Sequence, residues 1–424
     1  MAKPIAIMLP NLDRIIRGLL YLYVFSFPFE RLLFIERNGF IILLVLLTLW
    51  CLVNRQHFFV RTPVDLPLLV LVAWVGISLP FATFPPYSFH EFAKLLQQGL
   101  IFYVVVYFFR DTRDRGRMIA LMIGSLAAVS LYGIWQFEAK PWLGQMVPGG
   151  RPYYLIESFL SSEVGLTTYL VTVIPVSAAV TAYAPLRWQR ALAGGTTVVA
   201  ILCQGLTFSR AGLLALLTEV AVFAFLLRKK TVTILAAGLC FLLIAVAVSM
   251  VLIDRNRSIP FIPGPAKFTA YNLEARFKVW RLGFEKLAKH PLVGIGFGKD
   301  NFFIATRTDP IYLEAEKADA ETVPTPAGLH NTFLDMAVGA GVPAGLAYIW
   351  LMWTIGRAGL EHFCREKDHL LRIWDLTLVV LVVGVFVRNC FDHMWIGTMA
   401  LLFWVIVGLS IQPTPSSAKD ISSS

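Results

Sequence analysis

Apolar runs of membrane-crossing length alternate with short polar connections along almost the whole chain. A spanning helix needs roughly 20 predominantly apolar residues, and about twelve runs approach that length. They fall at residues 14–30, 38–53, 64–83, 94–109, 118–137, 165–184, 190–207, 211–227, 231–252, 331–355, 374–390 and 394–411. The pattern predicts an all-α, polytopic membrane bundle. Pro28, Glu30, Arg31, Glu36 and Arg37 stand between the first two runs, which therefore read either as two crossings or as one re-entrant hairpin.

The alternation breaks once, over residues 253–329, so the chain divides into helices 1–9 within 1–252, a long extramembrane loop at 253–329, helices 10–12 within 330–411, and a polar tail at 412–424. The loop opens as a proline-rich linker, RNRSIPFIPGPAKF. Residues 273–289 then show a helical period, with Leu273, Phe277, Trp280, Phe284 and Leu287 on one stripe, Glu274, Lys278, Glu285 and Lys289 opposite, and Arg276 and Arg281 on the flanks. Such a helix is expected to lie on the membrane surface with its rings in the headgroup layer. Residues 291–302, PLVGIGFGKDNF, form a glycine-rich turn, and 309–321 an acidic loop.

Residues 329–346, LHNTFLDMAVGAGVPAGL, read as a helix entering the bilayer, with His330 and Asn331 at its start and Asp335 a turn in. Ala337, Gly341, Ala344 and Gly345 recur at helical spacing and are expected to let this helix lie backbone-close to a neighbour. The positive end of a helix attracts anions, and a neutral imidazole there is a candidate base. His330 reads equally as an interfacial, hydrogen-bonded histidine.

Composition agrees with a membrane protein: 57% of residues are hydrophobic and 15% charged, with a mean hydropathy of +0.68. The net charge of +10 would suggest nucleic acid in a soluble protein. Here the Lys and Arg lie mostly between apolar runs, where orientation explains them, and a nucleic-acid partner is rejected. The connections at 54–61, 110–117, 187–190, 228–230 and 357–372 are the basic ones, and they alternate with the others. The positive-inside rule places them, and both termini, in the cytoplasm, with 82–92, 138–165, 208–210, 253–329 and 388–393 on the opposite side. The N-terminus lacks a cleavage pattern, so the first run is expected to serve as a retained export signal. Five scattered cysteines carry no paired metal spacing. No metal or cofactor is expected.

Few residues are left to carry chemistry. GIGFGK at 294–299 resembles a phosphate loop only weakly, because an amphipathic helix precedes it where a strand is required. Arg210 stands between two apolar runs with almost no loop, at or just inside the outer boundary. It is either a functional cation or a snorkelling residue that sets helix depth. Arg276 is a second candidate, or a charge on a surface helix. Arg388 and Asp392, four apart beside His393, read as an ion pair closing a helix end or as part of a site. The sidedness puts Arg210, Arg276, His330 and Asp392 together. Arginines pair bidentately with phosphate oxygens, so the set suggests a pyrophosphate-bearing lipid-linked sugar whose leaving group the guanidinium groups stabilise, with His330 accepting a proton from an attacking hydroxyl.

Three segments, FSRAG at 208–212, RFKVWRLGFEKLAKHPLVGIGFG at 276–298 and HNTFLDMAVGAGVPAG at 330–345, together resemble the O-antigen ligase and O-antigen polymerase superfamily. The order of these segments and the long loop before the tenth run are similar too. The resemblance implies a fold like that of the lipid-dependent membrane (GT-C-like) glycosyltransferases. It also implies metal-independent, inverting transfer of O-antigen polysaccharide from undecaprenyl pyrophosphate to a lipid A-core sugar, in lipopolysaccharide biosynthesis. The reaction would take place on the periplasmic face of a bacterial inner membrane. The superfamily's essential arginines would fall on Arg210 and Arg276 and its histidine on His330. An acidic residue near the last periplasmic turn would fall on Asp392, with Arg388 beside it. Polymerases and protein O-oligosaccharyltransferases share parts of this signature. The ligase is favoured because the chain ends just past the twelfth run without an added soluble domain. A transporter of lipid-linked sugars is the alternative from another class.

Overall fold

The computed structural model describes residues 3–139, 146–147, 151–152, 156–160, 162–207, 209–230, 232–234, 237–238, 241, 267–309, 328–392 and 397–411. Most of the predicted run 231–252 lies outside them. So do most of the proline-rich linker, all but the first residue of the acidic loop, His393 and the tail.

Helices dominate. In chain order they are α1 (Lys3–Ser26), α2 (Leu33–Asn54), α3 (Asp65–Ser78), α4 (Pro85–Phe108), α5 (Thr112–Ala139), α6 (Glu163–Tyr183), α7 (Arg187–Leu206), α8 (Arg210–Leu227), α9 (Lys267–Lys289), α10 (Lys299–Thr306), α11 (Thr332–Ala340), α12 (Val342–Arg365), α13 (His369–Asn389) and α14 (Gly397–Ser410). Among the described residues five helices are long and apolar enough to cross a membrane: Glu30–Asn54, Thr112–Phe137, Val164–Tyr183, Arg210–Leu227 and His369–Asn389. With 57% of residues hydrophobic, these make the chain a helical membrane protein.

α13 packs on α6, α8 and α12. Its residues 373–382 are buried on every side, as expected of a helix apolar all round. α14 packs on α4, and α1 pairs with α2. One end of the bundle is stitched by long-range hydrogen bonds. Glu30 N–H donates to Phe159 C=O at 2.9 Å and Thr83 N–H to Ile295 C=O at 2.7 Å. Trp74 Nε1 donates to Leu292 C=O at 3.0 Å, and Thr398 Oγ1 to Phe27 C=O at 3.3 Å. At the other end Arg17 pairs with Asp114 at 2.9 Å and Trp50 Nε1 donates to Asp13 at 2.6 Å.

Several expectations are corrected. The expected loop at 82–92 is mostly helix, because Pro85 and Pro86 occupy the first helical positions, where a missing N–H costs nothing. The amphipathic helix begins at Lys267, before the expected 273. Its aromatic stripe is split: Leu282 is buried, with Val279, Trp280 and Leu287 packed beside it, whereas Phe277 and Phe284 are 62% and 57% exposed. Residues 138–165 contain a short antiparallel ladder pairing Met146–Val147 with Arg151–Pro152, an exception to the all-α expectation.

The largest correction concerns 331–355, expected as one helix. It breaks at Gly341, whose φ of 91° lies in the region L side chains avoid. The glycine-rich turn fills the break. Ile295 and Gly296 N–H donate to the carbonyls of Val338 and Gly339, both at 2.9 Å, and Val342 N–H donates to Pro291 C=O at 2.8 Å. A Cβ on Gly294 would collide with Gly339, and one on Gly341 with the Leu292 carbonyl. The small residues thus allow the expected close approach, and the neighbour is the backbone of a loop. Of the other glycines of GIGFGK, a Cβ on Gly296 would meet Asn301 and Ala82, and one on Gly298 would meet Glu91 and Tyr87.

Candidate functional site

The site is built from the start of α11 outward. Asn331, extended at φ −155° and ψ 107°, caps α11 by accepting the Leu334 N–H on its side-chain oxygen at 3.0 Å. Its amide nitrogen donates across to Cys390 C=O at 3.1 Å. Thr332 Oγ1 donates to Asp392 C=O at 2.9 Å. Two consecutive side chains therefore strap the start of α11 to the turn after α13.

This strap decides where His330 stands. The residue precedes the cap, in a left-handed conformation at φ 50°, so it is not the first residue of the helix as expected. At the helix start the side chain of Asn331 takes the Leu334 N–H. His330 Nδ1 lies 3.7 Å from Asp392 Oδ1, an ion-pair distance rather than a hydrogen bond. Asp335, a turn in, accepts the Leu329 N–H on Oδ1 at 3.2 Å.

Asp392 is the shared element. Its Oδ2 accepts Arg388 Nη2 at 3.1 Å. Arg388 is fully buried; its Nε donates to Thr168 Oγ1 at 3.2 Å and its Nη2 also to Val164 C=O at 3.3 Å. Among the described residues Nη1 of Arg388 is enclosed with no partner. A buried charge requires such pairing, since an uncompensated one is strongly destabilising. Exposure of these side chains rises from 0% at Arg388 through 15% at Asp392 to 41% at His330, so the cluster runs from the protein interior to an accessible surface.

Arg276 reaches the cluster from α9. Burial holds its guanidinium below the usual arginine range, the negative charge of Asp392 opposes that shift, and the positive charge of Arg210 adds to it. Arg276 thus lies within electrostatic reach of both. One turn along α9, Trp280 Nε1 donates to Leu329 C=O at 2.7 Å, tying the helix to the residue before His330. Arg210 is the exposed first residue of α8. Ser209 caps that helix by accepting Gly212 N–H at 3.3 Å.

Arg210, Arg276, His330, Arg388 and Asp392 therefore gather at one end of the bundle. Three cations and an imidazole around a single carboxylate leave an excess of positive charge, suited to a polyanion. Not foreseen were the strap through Asn331 and Thr332, the pin through Trp280, and Thr168 as a partner of Arg388. The only local signal for the strap was a pair of polar residues between His330 and the apolar run; the partners of Trp280 and Arg388 lie 49 and 220 positions away.

No curated protein matches the chain. Residues 195–349 match the family model described as O-antigen ligase, a segment that contains Arg210, Arg276 and His330. Over that segment the chain is similar to the O-antigen ligase family.

Proposed function

We infer that the protein is an O-antigen ligase, transferring O-antigen polysaccharide from undecaprenyl pyrophosphate to a sugar of the lipid A core. The observation that carries this is the gathering of Arg210, Arg276 and Arg388 around Asp392 with His330 at the open edge, in a chain whose residues 195–349 match the O-antigen ligase family model. In this reading the chain crosses the inner membrane about twelve times, the run at 231–252 included, with both termini cytoplasmic and the site periplasmic.

The step is a displacement at the anomeric carbon. The acceptor hydroxyl oxygen attacks from the face opposite the pyrophosphate, the carbon–oxygen bond to the pyrophosphate breaks, and its electron pair leaves on the phosphate oxygen. Attack from that face inverts the configuration. The hydroxyl proton passes to His330, a general-base role worth typically 10² to 10⁴-fold. Arg210 and Arg276 bind the pyrophosphate and stabilise the charge that develops on it, as a divalent cation does at other phosphoryl leaving groups. Nη1 of Arg388 offers one more enclosed donor, and Asp392 orients Arg388 and faces His330.

Purified protein reconstituted with undecaprenyl-linked donor and rough lipopolysaccharide tests the assignment. Wild type is expected to cap the acceptor in the presence of EDTA, and His330→Ala to bind donor while losing at least about 10²-fold in transfer. Dependence on added magnesium or manganese overturns the guanidinium-for-metal account. Elongation of one carrier-linked chain by another, with the core left uncapped, identifies a polymerase. Passage of donor across the bilayer unimpaired by His330→Ala identifies a transporter.

A further inference from the structure

At the end of the bundle where Arg17 pairs with Asp114, a cavity of about 560 Å³ lies between α1 and the segment that opens α5. Arg14, Arg17, Gly18 and Tyr21 line it from α1, and their spacing puts them on one helix face. The facing wall comes from the basic connection at 110–117, with Arg113 and Arg117 one turn apart. We propose that this cavity holds the phosphate of an anionic phospholipid, which clamps α1 to the start of α5. The proposal goes beyond the transferase reading and needs only that the chain spans a membrane. In the orientation expected from the basic connections the lipid belongs to the cytoplasmic leaflet, whose anionic headgroups basic clusters of this kind attract.

The first observation is an excess of cations held in place. Four arginines face two aspartates across the cavity, and both aspartates are engaged. Buried Asp114 takes Nη1 of Arg17 and Nη1 of Arg117, each at 2.9 Å, and the Tyr21 hydroxyl at 3.1 Å. Asp111 accepts the Arg113 N–H at 3.0 Å and so caps α5. Among the described residues no carboxylate pairs with the side chain of Arg14 or Arg113. A guanidinium has five N–H donors, so Arg17 and Arg117 keep most of theirs while one carboxylate fixes where they point. Two positive charges in excess, with their donors fixed in place, suit a headgroup that carries net negative charge over a zwitterionic one. The second observation is room at Gly18, where an added Cβ would meet no atom within 4 Å. The third identifies the source of the phosphate as a lipid. Leu22 and Phe25 continue the helix face from Gly18 at spacings of four and three, and they are 48% and 41% exposed. A phosphate seated beside Gly18 leaves its acyl chain free to run along them into the bilayer.

Full-length protein stripped of lipid in detergent is titrated with phosphatidylglycerol, and the rise in Tm reads binding, because a ligand of the folded state stabilises it. Wild type is expected to respond to phosphatidylglycerol but not to phosphatidylcholine or inorganic phosphate. Removing two charge-assisted contacts is expected to weaken binding at least about tenfold in the Arg14→Gln, Arg113→Gln double variant. Gly18→Trp keeps every arginine but fills the cavity, and the same loss is expected; Gly18→Leu serves if the larger side chain prevents folding. Lys229→Gln, Lys230→Gln removes two charges from another basic connection and is expected to bind as wild type does. Wild-type affinity in the arginine or glycine variants overturns the proposal, and so does an equal loss in the lysine variant, which would make the attraction a general surface charge. An equal response to phosphatidylcholine or to inorganic phosphate also overturns it, the latter by making the occupant a soluble anion.

Discussion

At the scale of single residues, the site depends on how differently its arginines are held. Arg388 is sealed in the interior by Thr168, Val164 and Asp392, and removing its carboxylate partner leaves a buried charge. Asp392→Asn is expected to destabilise the protein by about 3 kcal/mol or more, read as a lower Tm, and adding Arg388→Met is expected to restore part of the loss. No change in Tm would mean that the pair is not buried as described. Arg276 has a different vulnerability, because burial already works against its charge. Arg276→Lys is expected to cost nearly as much activity as Arg276→Ala, since an ammonium cannot make the bidentate contact. Burial lowers the pKa of a cation, and an ammonium starts lower than a guanidinium. The residual activity of the lysine variant is therefore expected to fall as pH rises above neutrality, where the arginine enzyme keeps its charge. Near-wild-type turnover with a flat pH profile would make Arg276 a surface charge.

At the scale of elements, the decisive feature is the break between α11 and α12. Hydrophobic periodicity runs straight through it, because Val338, Ala340, Val342 and Ala344 are all compatible with one continuous apolar helix. Nothing local reveals that residues 291–296 hydrogen-bond into the gap. The helices themselves were legible, since a span announces itself by length and composition. Contacts such as Asn331 to Cys390 and Trp280 to Leu329 were not, because they join residues 59 and 49 positions apart. Gly341→Ala tests the break. A Cβ at φ 91° would also meet the Leu292 carbonyl, so the variant is expected to lose about 1–3 kcal/mol and to loosen the start of α11 that positions His330. Circular dichroism melting together with transfer activity reads both effects, and unchanged values for both would refute the close approach of turn and helix.

At the scale of the molecule, alternating basic connections gave the expected sidedness. The same alternation predicted that Arg210, Arg276, His330 and Asp392 would share one end, and the electrostatic and hydrogen-bond contacts join them there. The function as a whole stands or falls on Arg210 and Arg276 acting on one diphosphate. The most direct measurement is the dissociation constant of undecaprenyl pyrophosphate for wild type, Arg210→Ala, Arg276→Ala and the double variant. Residues that clamp a common ligand couple by about 0.5–3 kcal/mol. Each single variant is therefore predicted to weaken binding markedly, and the double variant by a factor that departs from the product of the two. Losses that multiply as those of independent sites do, or single variants that bind the diphosphate as tightly as wild type, would contradict the account.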